Sequence, residues 1–322
     1  MRTVRVAAIQ ATSLNGQPDR NLANATRLVE NAAAQGASLI VCPEFLATGY
    51  VYDESIWDSG EPAGGRTEQW LADIASRLGV VVGAGWMQAE GDEFYNVFSL
   101  FDREGRLLGR VRKASLPIFE GWYFAPCPRD KVVPTEFGNV GVGICNDNQT
   151  SEFLAEMNDT LPDLIVMPHS APTPLIPGFG LLVRVIYERQ LDSVAQRYAR
   201  ALGIPVVMAN KISHKPWRTA IPLVDGVRLP LTFRGHSRIC DGNGETLAYD
   251  VGSETALVAT VSLDPDRKHT ARVRREGYWS FPPVILGRVT GGLMRWLDRA
   301  GQRSYRANER RRVAARGVGA KA

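Results

Sequence analysis

A cysteine, a glutamate and a lysine in this sequence each stand at the end of an apolar run: Cys145 closes VGVGIC, Glu44 follows LIVC through Pro43, and Lys113 closes LLGRVRK. A thiol attacks well only as thiolate, so it needs a base for its proton or a cation beside it. An ionised group at the end of a buried strand is expensive unless paired, which invites Glu44 and Lys113 to meet. Together the three could carry acyl transfer through a covalent intermediate. The carboxylate would accept and return a proton, and the ammonium, with the backbone amide after Cys145, would neutralise an oxyanion. Singly, each has a plainer reading, as a small buried hydrophobe or a solvated charge; the combination argues for chemistry. Cys42, Cys127 and Cys240 form no CxxC pair, so neither a disulfide framework nor a zinc knuckle is expected. His214, His236 and His269 lack ligand spacing, so no metal or other cofactor is expected.

The elements that must position these residues alternate. Strand-like Thr3 to Gln10 leads to a helical pattern over Asp19 to Gly36, then to the strand Ala37 to Cys42 that delivers Glu44. Helix Thr67 to Leu78 and strand Gly79 to Gly85 repeat the unit. Two hairpins follow, Tyr95 to Phe101 with Leu107 to Lys113, and Val132 to Phe137 with Val140 to Cys145. Helix Ser151 to Asn158, strand Asp163 to Met167, helix Leu182 to Leu202 and strand Ile204 to Asn210 resume the alternation, and strands Gly235 to Asp241 and Thr255 to Leu263 close the body. GASLIVCPE and LPDLIVMPH read as one unit used twice, which gives Glu44 and His169 equivalent strand ends. The pattern predicts an α/β fold with two sheets packed on each other and helices outside, a four-layer α-β-β-α sandwich.

Three stretches, LIVCPEF around Glu44, GRVRKASLPIFEGWYF around Lys113 and GVGICND around Cys145, resemble the signatures of the nitrilase superfamily of carbon–nitrogen hydrolases, in order and in register from about Val4 to Leu263. The resemblance implies that Glu44 is the general base, Lys113 the oxyanion-stabilising cation, Cys145 the nucleophile, and Glu120 a second glutamate that positions them. It also implies sandwiches that pair into a homodimer. True nitrilases place Trp-Glu after the nucleophile, where this chain has Asn146-Asp147; a carbamoyl-D-amino-acid hydrolase would continue with arginine, where this chain has Asn148-Gln149-Thr150. An arginine there would clamp a carboxylate. Asn146, Asp147, Trp122, Tyr123, His169 and Ser170 are the candidate substrate contacts, and the loops around them, including Ser170 to Gly180, are apolar. The expected reaction is hydrolysis of a neutral linear amide or N-carbamoyl amine through a thioester. The alternatives are an amide or acyl transferase using the same thioester, a nitrilase acting on a nitrile, and a pseudoenzyme.

The 322 residues carry a net charge of +4, concentrated at the end: residues 301–322 hold seven Lys/Arg against Glu309. A nearly neutral body argues against nucleic acid as a partner. No stretch reaches the roughly 18 apolar residues of a membrane span, and the N-terminus runs straight into a strand, so a cytoplasmic protein is expected. Three segments follow: a hydrolase domain over 1–265, an extension over 266–300, and a basic flexible tail over 301–322. In the extension, Ile285, Val289, Leu293 and Trp296-Leu297 recur at helical spacing from Val284 to Ala300. That apolar stripe is expected to pack on a partner subunit, with contact to an anionic membrane the less favoured reading.

Overall fold

The computed structural model describes residues 1–175, 180–273, 277–281 and 287–319, with the side chains of 180–187, 225, 287 and 288 left aside. The first half runs Arg2–Thr12 (β1), Pro18–Ala34 (α1), Leu39–Val41 (β2), Arg66–Leu78 (α2), Val81–Glu90 (β3), Glu93–Phe101 (β4) and Leu107–Arg112 (β5). Next come Val132–Thr135 (β6), Gly138–Val142 (β7), Ser151–Thr160 (α3), Leu164–Pro168 (β8), Thr173–Pro174 (β9), Gly180–Leu202 (α4), Val206–Ala209 (β10) and Lys211–Ile212 (β11). The chain ends through Trp217–Ile221 (β12), Val224–Thr232 (β13), Gly235–Cys240 (β14), Thr246–Val251 (β15), Thr255–Leu263 (β16), Gly287–Ala307 (α5) and Glu309–Gly319 (α6).

Apolar runs at the expected places become the central strands. In one sheet, β1, β2 and β3 are parallel neighbours, β3, β4 and β5 follow antiparallel, and β16 and β11 flank β1. In the other, β7, β8 and β10 are parallel, with β6 at one edge and β14 and β15 at the opposite one. Val6, Ala8 and Val41 of the first sheet share one apolar cluster with Val142, Val166 and Val207 of the second. The outward faces are covered by helices: Leu22, Leu28 and Leu71 of α1 and α2 join Ile9 and Ile40, and Met157 and Tyr198 of α3 and α4 join Ile165 and Met208. β2 and β8 thus hold like positions in their sheets, as the repeated unit predicts, and Glu44 and His169 lie just beyond them.

Two features depart from the sequence reading. A separate small sheet, order β12-β13-β9, was not anticipated, because its strands carry scattered polar residues in place of a continuous apolar run. The expected flexible tail is, over its described residues to Gly319, helical and docked: Tyr305, Arg311 and Ala315 are buried. A run of arginines looks solvated in sequence because its partners are more than 200 positions away; Arg311 bonds Glu93 at 2.8 Å and Arg316 bonds Asp92 at 2.6 Å. Tyr305 Oη accepts from the Phe94 amide at 2.8 Å. The expected amphipathic helix exists as α5, but its packed side differs from the expected stripe. Leu297 is buried while Val289, Leu293 and Trp296 face outward, because Gly301 lets α5 approach Gly121 and Trp122 more closely than any side chain would allow. Pro282, Pro283, Val284 and Ile285 lie outside the described residues. Arg311→Ala should therefore lower the unfolding free energy in urea by about 2 kcal/mol or more, whereas Arg303→Ala on the exposed side should stay within about 0.5 kcal/mol.

Candidate active site

Glu44 reaches its position because β2 stops at Val41 and the chain turns through Pro43 against β3. The turn needs Gly85, where a Cβ would lie 2.4 Å from the Glu44 Cα, and the next residue, Phe45, takes a left-handed φ of 49°. Glu44 Oε1 accepts from Asn96 Nδ2 at 2.7 Å and from Lys113 Nζ at 2.7 Å. Lys113 follows β5 directly, its amide held by the Asn96 carbonyl at 2.9 Å. Its ammonium also donates to Glu120 Oε1 and Oε2, at 2.9 and 2.7 Å, from the short turn Glu120–Trp122. All three side chains are fully buried. One ammonium thus sits between two carboxyl groups in a dry cluster.

Cys145 opens a 3-10 turn over Cys145–Gln149 three residues beyond the end of β7, instead of ending the strand itself. Its left-handed φ of 49° is costly for a side chain with a Cβ, about 1–3 kcal/mol, and such strain persists only where surrounding bonds fix it. Here Asp147 fixes it. Oδ1 accepts from the Ala114 and Ser115 amides at 3.1 and 2.8 Å, and Oδ2 accepts from Lys131 Nζ at 3.2 Å and the Ile144 amide at 3.4 Å. Asp147 therefore locks the Cys145 turn to the segment after Lys113. Burial pushes the Cys145 thiol up, and Glu44 and Glu120 add to this against Lys113, so its pKa lies well above the ordinary value of 9.0. Burial alone would lower the Lys113 ammonium, but Glu120 and Glu44 outweigh it and hold it well above the usual lysine range. Burial likewise lifts Glu120 against the pull of Lys113.

A cavity of about 310 Å³ opens on Cys145. Of the candidate substrate contacts, Asn146, His169 and Ser170 line it; Asp147, Trp122 and Tyr123 do not. Trp122 packs on α5 and Tyr123 joins the cluster of Trp57 and Phe94, because the turn at Glu120 aims the residues after it away from the cavity. Pro117, Ile118 and Phe119, before that turn, take the wall. Asn146 Nδ2 is held by Ser115 Oγ at 2.7 Å and Tyr278 Oη at 2.6 Å. Of the Ser170 to Gly180 loop, Ser170, Ala171, Pro172 and Pro174 reach the cavity, and 176–179 lie outside the described residues. The sequence reading missed Tyr50 and Tyr52, whose hydroxyls bond each other, Tyr50 also donating to Glu120 Oε1 at 3.1 Å. The turn at Thr48-Gly49 before them was the available signal. It also missed Lys211, fully buried, whose Nζ donates to the Phe45 carbonyl at 2.7 Å; burial lowers its pKa to about 7.

His169 is neutral in the fold. Asn148 Nδ2 donates to the Gly143 carbonyl at 2.7 Å, which fixes it as the amide nitrogen, so the His169 Nε2 it also meets at 3.0 Å is an acceptor. The proton then sits on Nδ1, which is buried without a partner among the described residues. Burial, then Lys113, lowers the pKa from 6.5 to about 3. The unfolded chain binds a proton in that window and the fold does not, so the stabilisation is complete above 6.5 and is lost as pH falls towards 3. Between about pH 7 and about pH 4, wild type should lose about 2–3 kcal/mol more stability than His169→Gln, measured by denaturant titration.

The model of the carbon–nitrogen hydrolase family matches residues 5–272. The chain is 30% identical to a nitrilase of Pyrococcus abyssi, over 65% of this chain and 81% of that protein. It is 30% identical to an N-carbamoylputrescine amidase of Solanum lycopersicum, over 88% and 95%. A carbon–nitrogen hydrolase from Helicobacter pylori G27 shares the fold with a TM-score of 0.70 at 20% identity, covering 81% of this chain and 90% of that one. With this mixed α/β fold and these relatives, the chain belongs to the carbon–nitrogen hydrolase family of the nitrilase superfamily.

Proposed function

We propose that the protein hydrolyses a neutral amide with an apolar acyl chain through a Cys145 thioester. One observation carries the choice of substrate: among the described residues, the cavity wall contains no Asp, Glu, Lys or Arg, and it is built largely from Tyr, Phe, Pro, Leu and Met side chains. A cationic tail, as on N-carbamoylputrescine, or an amino-acid carboxylate would enter this wall without a counter-charge, at several kcal/mol. The volume lies near the lower end of the roughly 300–1,000 Å³ range of small-molecule sites, which suits a modest chain.

The steps follow from the charges. The Cys145 proton passes to Glu44, whose Oε2 is buried and unpartnered among the described residues, as sulfur bonds to the carbonyl carbon. The oxyanion forms opposite the Lys113 charge and the Asn146 amide. Glu44 returns the proton to the leaving nitrogen, the C–N bond breaks, and ammonia or amine departs. Water attacks the thioester while Glu44 takes its proton; the acid leaves and the proton returns to sulfur. Lys113 has its donors engaged by Glu44 and Glu120, so it contributes chiefly charge. The His169 Nδ1–H and Ser170 Oγ, buried at the wall without partners among the described residues, are the donors for the substrate's polar head. We read the two sheets with their flanking helices as the four-layer sandwich, and the resemblance extends this to a homodimer.

Cys145→Ala should abolish turnover, wild type quenched during turnover should show an acyl adduct on Cys145 in intact-protein mass spectrometry, and Glu44→Gln should show neither turnover nor adduct; full activity of Cys145→Ala would end the thioester reading. Across hexanamide, N-carbamoylputrescine and hexanenitrile, ammonia release should favour hexanamide by about 100-fold in kcat/KM, the equivalent of about 2.7 kcal/mol. Preference for the nitrile or the cationic carbamoyl compound would refute the assignment of substrate.

A further inference from the structure

The cavity opens among three surface elements that display apolar side chains to solvent. Ile118, beside the Phe119 wall, is 43% exposed and holds a left-handed φ of 52°, a conformation that a β-branched residue rarely adopts. The β12–β13 hairpin, whose Thr219, Leu229 and Leu231 line the cavity, exposes Leu223, Val224 and Val227 around its tip. Helix α5, whose Met294 lines the cavity, exposes Val289, Leu293 and Trp296 on its opposite side, Val289 at 65%. Most of the exposed large hydrophobic side chains among the described residues thus belong to elements that build the cavity. Such concentration marks a docking surface.

The occupant is indicated by charge. At helical spacing, Arg295, Arg299, Arg303 and Arg306 lie on the exposed side of α5 along one flank of the Val289–Leu293–Trp296 stripe, and Arg218 and Arg228 are on the hairpin. A helix with Trp, Leu and Val on one strip and arginines beside it suits the plane of an anionic bilayer, where apolar residues enter the acyl boundary and cations meet the headgroups. An isologous contact between two copies through this face would set arginine rows against each other across a two-fold axis.

We infer that α5, Ile118 and the β12–β13 tip seat the protein on an anionic membrane surface and that an apolar amide enters the cavity from the lipid. The source of substrate rests on the reading under Proposed function; the docking does not. Co-sedimentation of full-length protein with vesicles of phosphatidylglycerol and phosphatidylcholine should show binding that falls with salt and is at least ten-fold weaker for phosphatidylcholine alone. The double variant Leu293→Asn/Trp296→Gln should lose at least ten-fold in vesicle affinity while it hydrolyses soluble hexanamide at the wild-type rate. Equal binding of variant and wild type, or no binding by wild type with loss of a dimer in the variant by sedimentation velocity, would overturn the inference, the latter making the face a contact between copies. Intact vesicle binding without hydrolysis of octanamide would sustain the docking and overturn the substrate reading and entry from lipid.

Discussion

Glu44 and Glu120 grip one ammonium, Lys113, in a site without exposure. Buried ions are tolerable only when each is paired, and removing one partner from such a set costs about 3–5 kcal/mol. The arrangement of chain around the site follows from that constraint. Gly85 lets the Glu44 backbone come close, Asn96 supplies a second donor to Oε1, and Tyr50 satisfies Glu120 from the other side. Asp147 ties the segment after Lys113 to the turn that carries Cys145, so Lys113 and Cys145 are fixed relative to one another by the same carboxylate.

The same cluster sets the chemistry. With two carboxyl groups around its one cation and little solvent, the Cys145 thiol is pushed up, and in the reaction we propose Glu44 takes its proton as the bond forms. This differs from sites in which a cation or a helix terminus keeps a standing thiolate.

Much of this was legible in the sequence, and the failures have physical causes. Glu44, Lys113 and Cys145 could be found because ionisable groups at the ends of apolar strands need partners, and the strands themselves declared their ends through Pro43 and the hairpin turns. Lys211 obeys the same rule after VVMAN and was overlooked for want of a motif around it. Asp147, Trp122 and Tyr123 were assigned to substrate from adjacency, but a 3-10 turn sends successive side chains in different directions, so neighbours of a catalytic residue often face away from it. The small sheet and the docked C-terminal helices were illegible because both are stabilised by contacts distant in sequence, such as Tyr305 with Phe94 and Tyr52 with Thr219.

The state of the Cys145 thiol tests the account most directly. The ultraviolet thiolate absorbance of wild type, with that of Cys145→Ser subtracted at each pH, isolates this one group from the other cysteines. The account predicts a Cys145 thiol still largely protonated at its ordinary pKa of 9.0. A thiolate already present near neutral pH would contradict it, because the proton would then have left before any substrate arrived and Glu44 would have nothing to accept from the nucleophile.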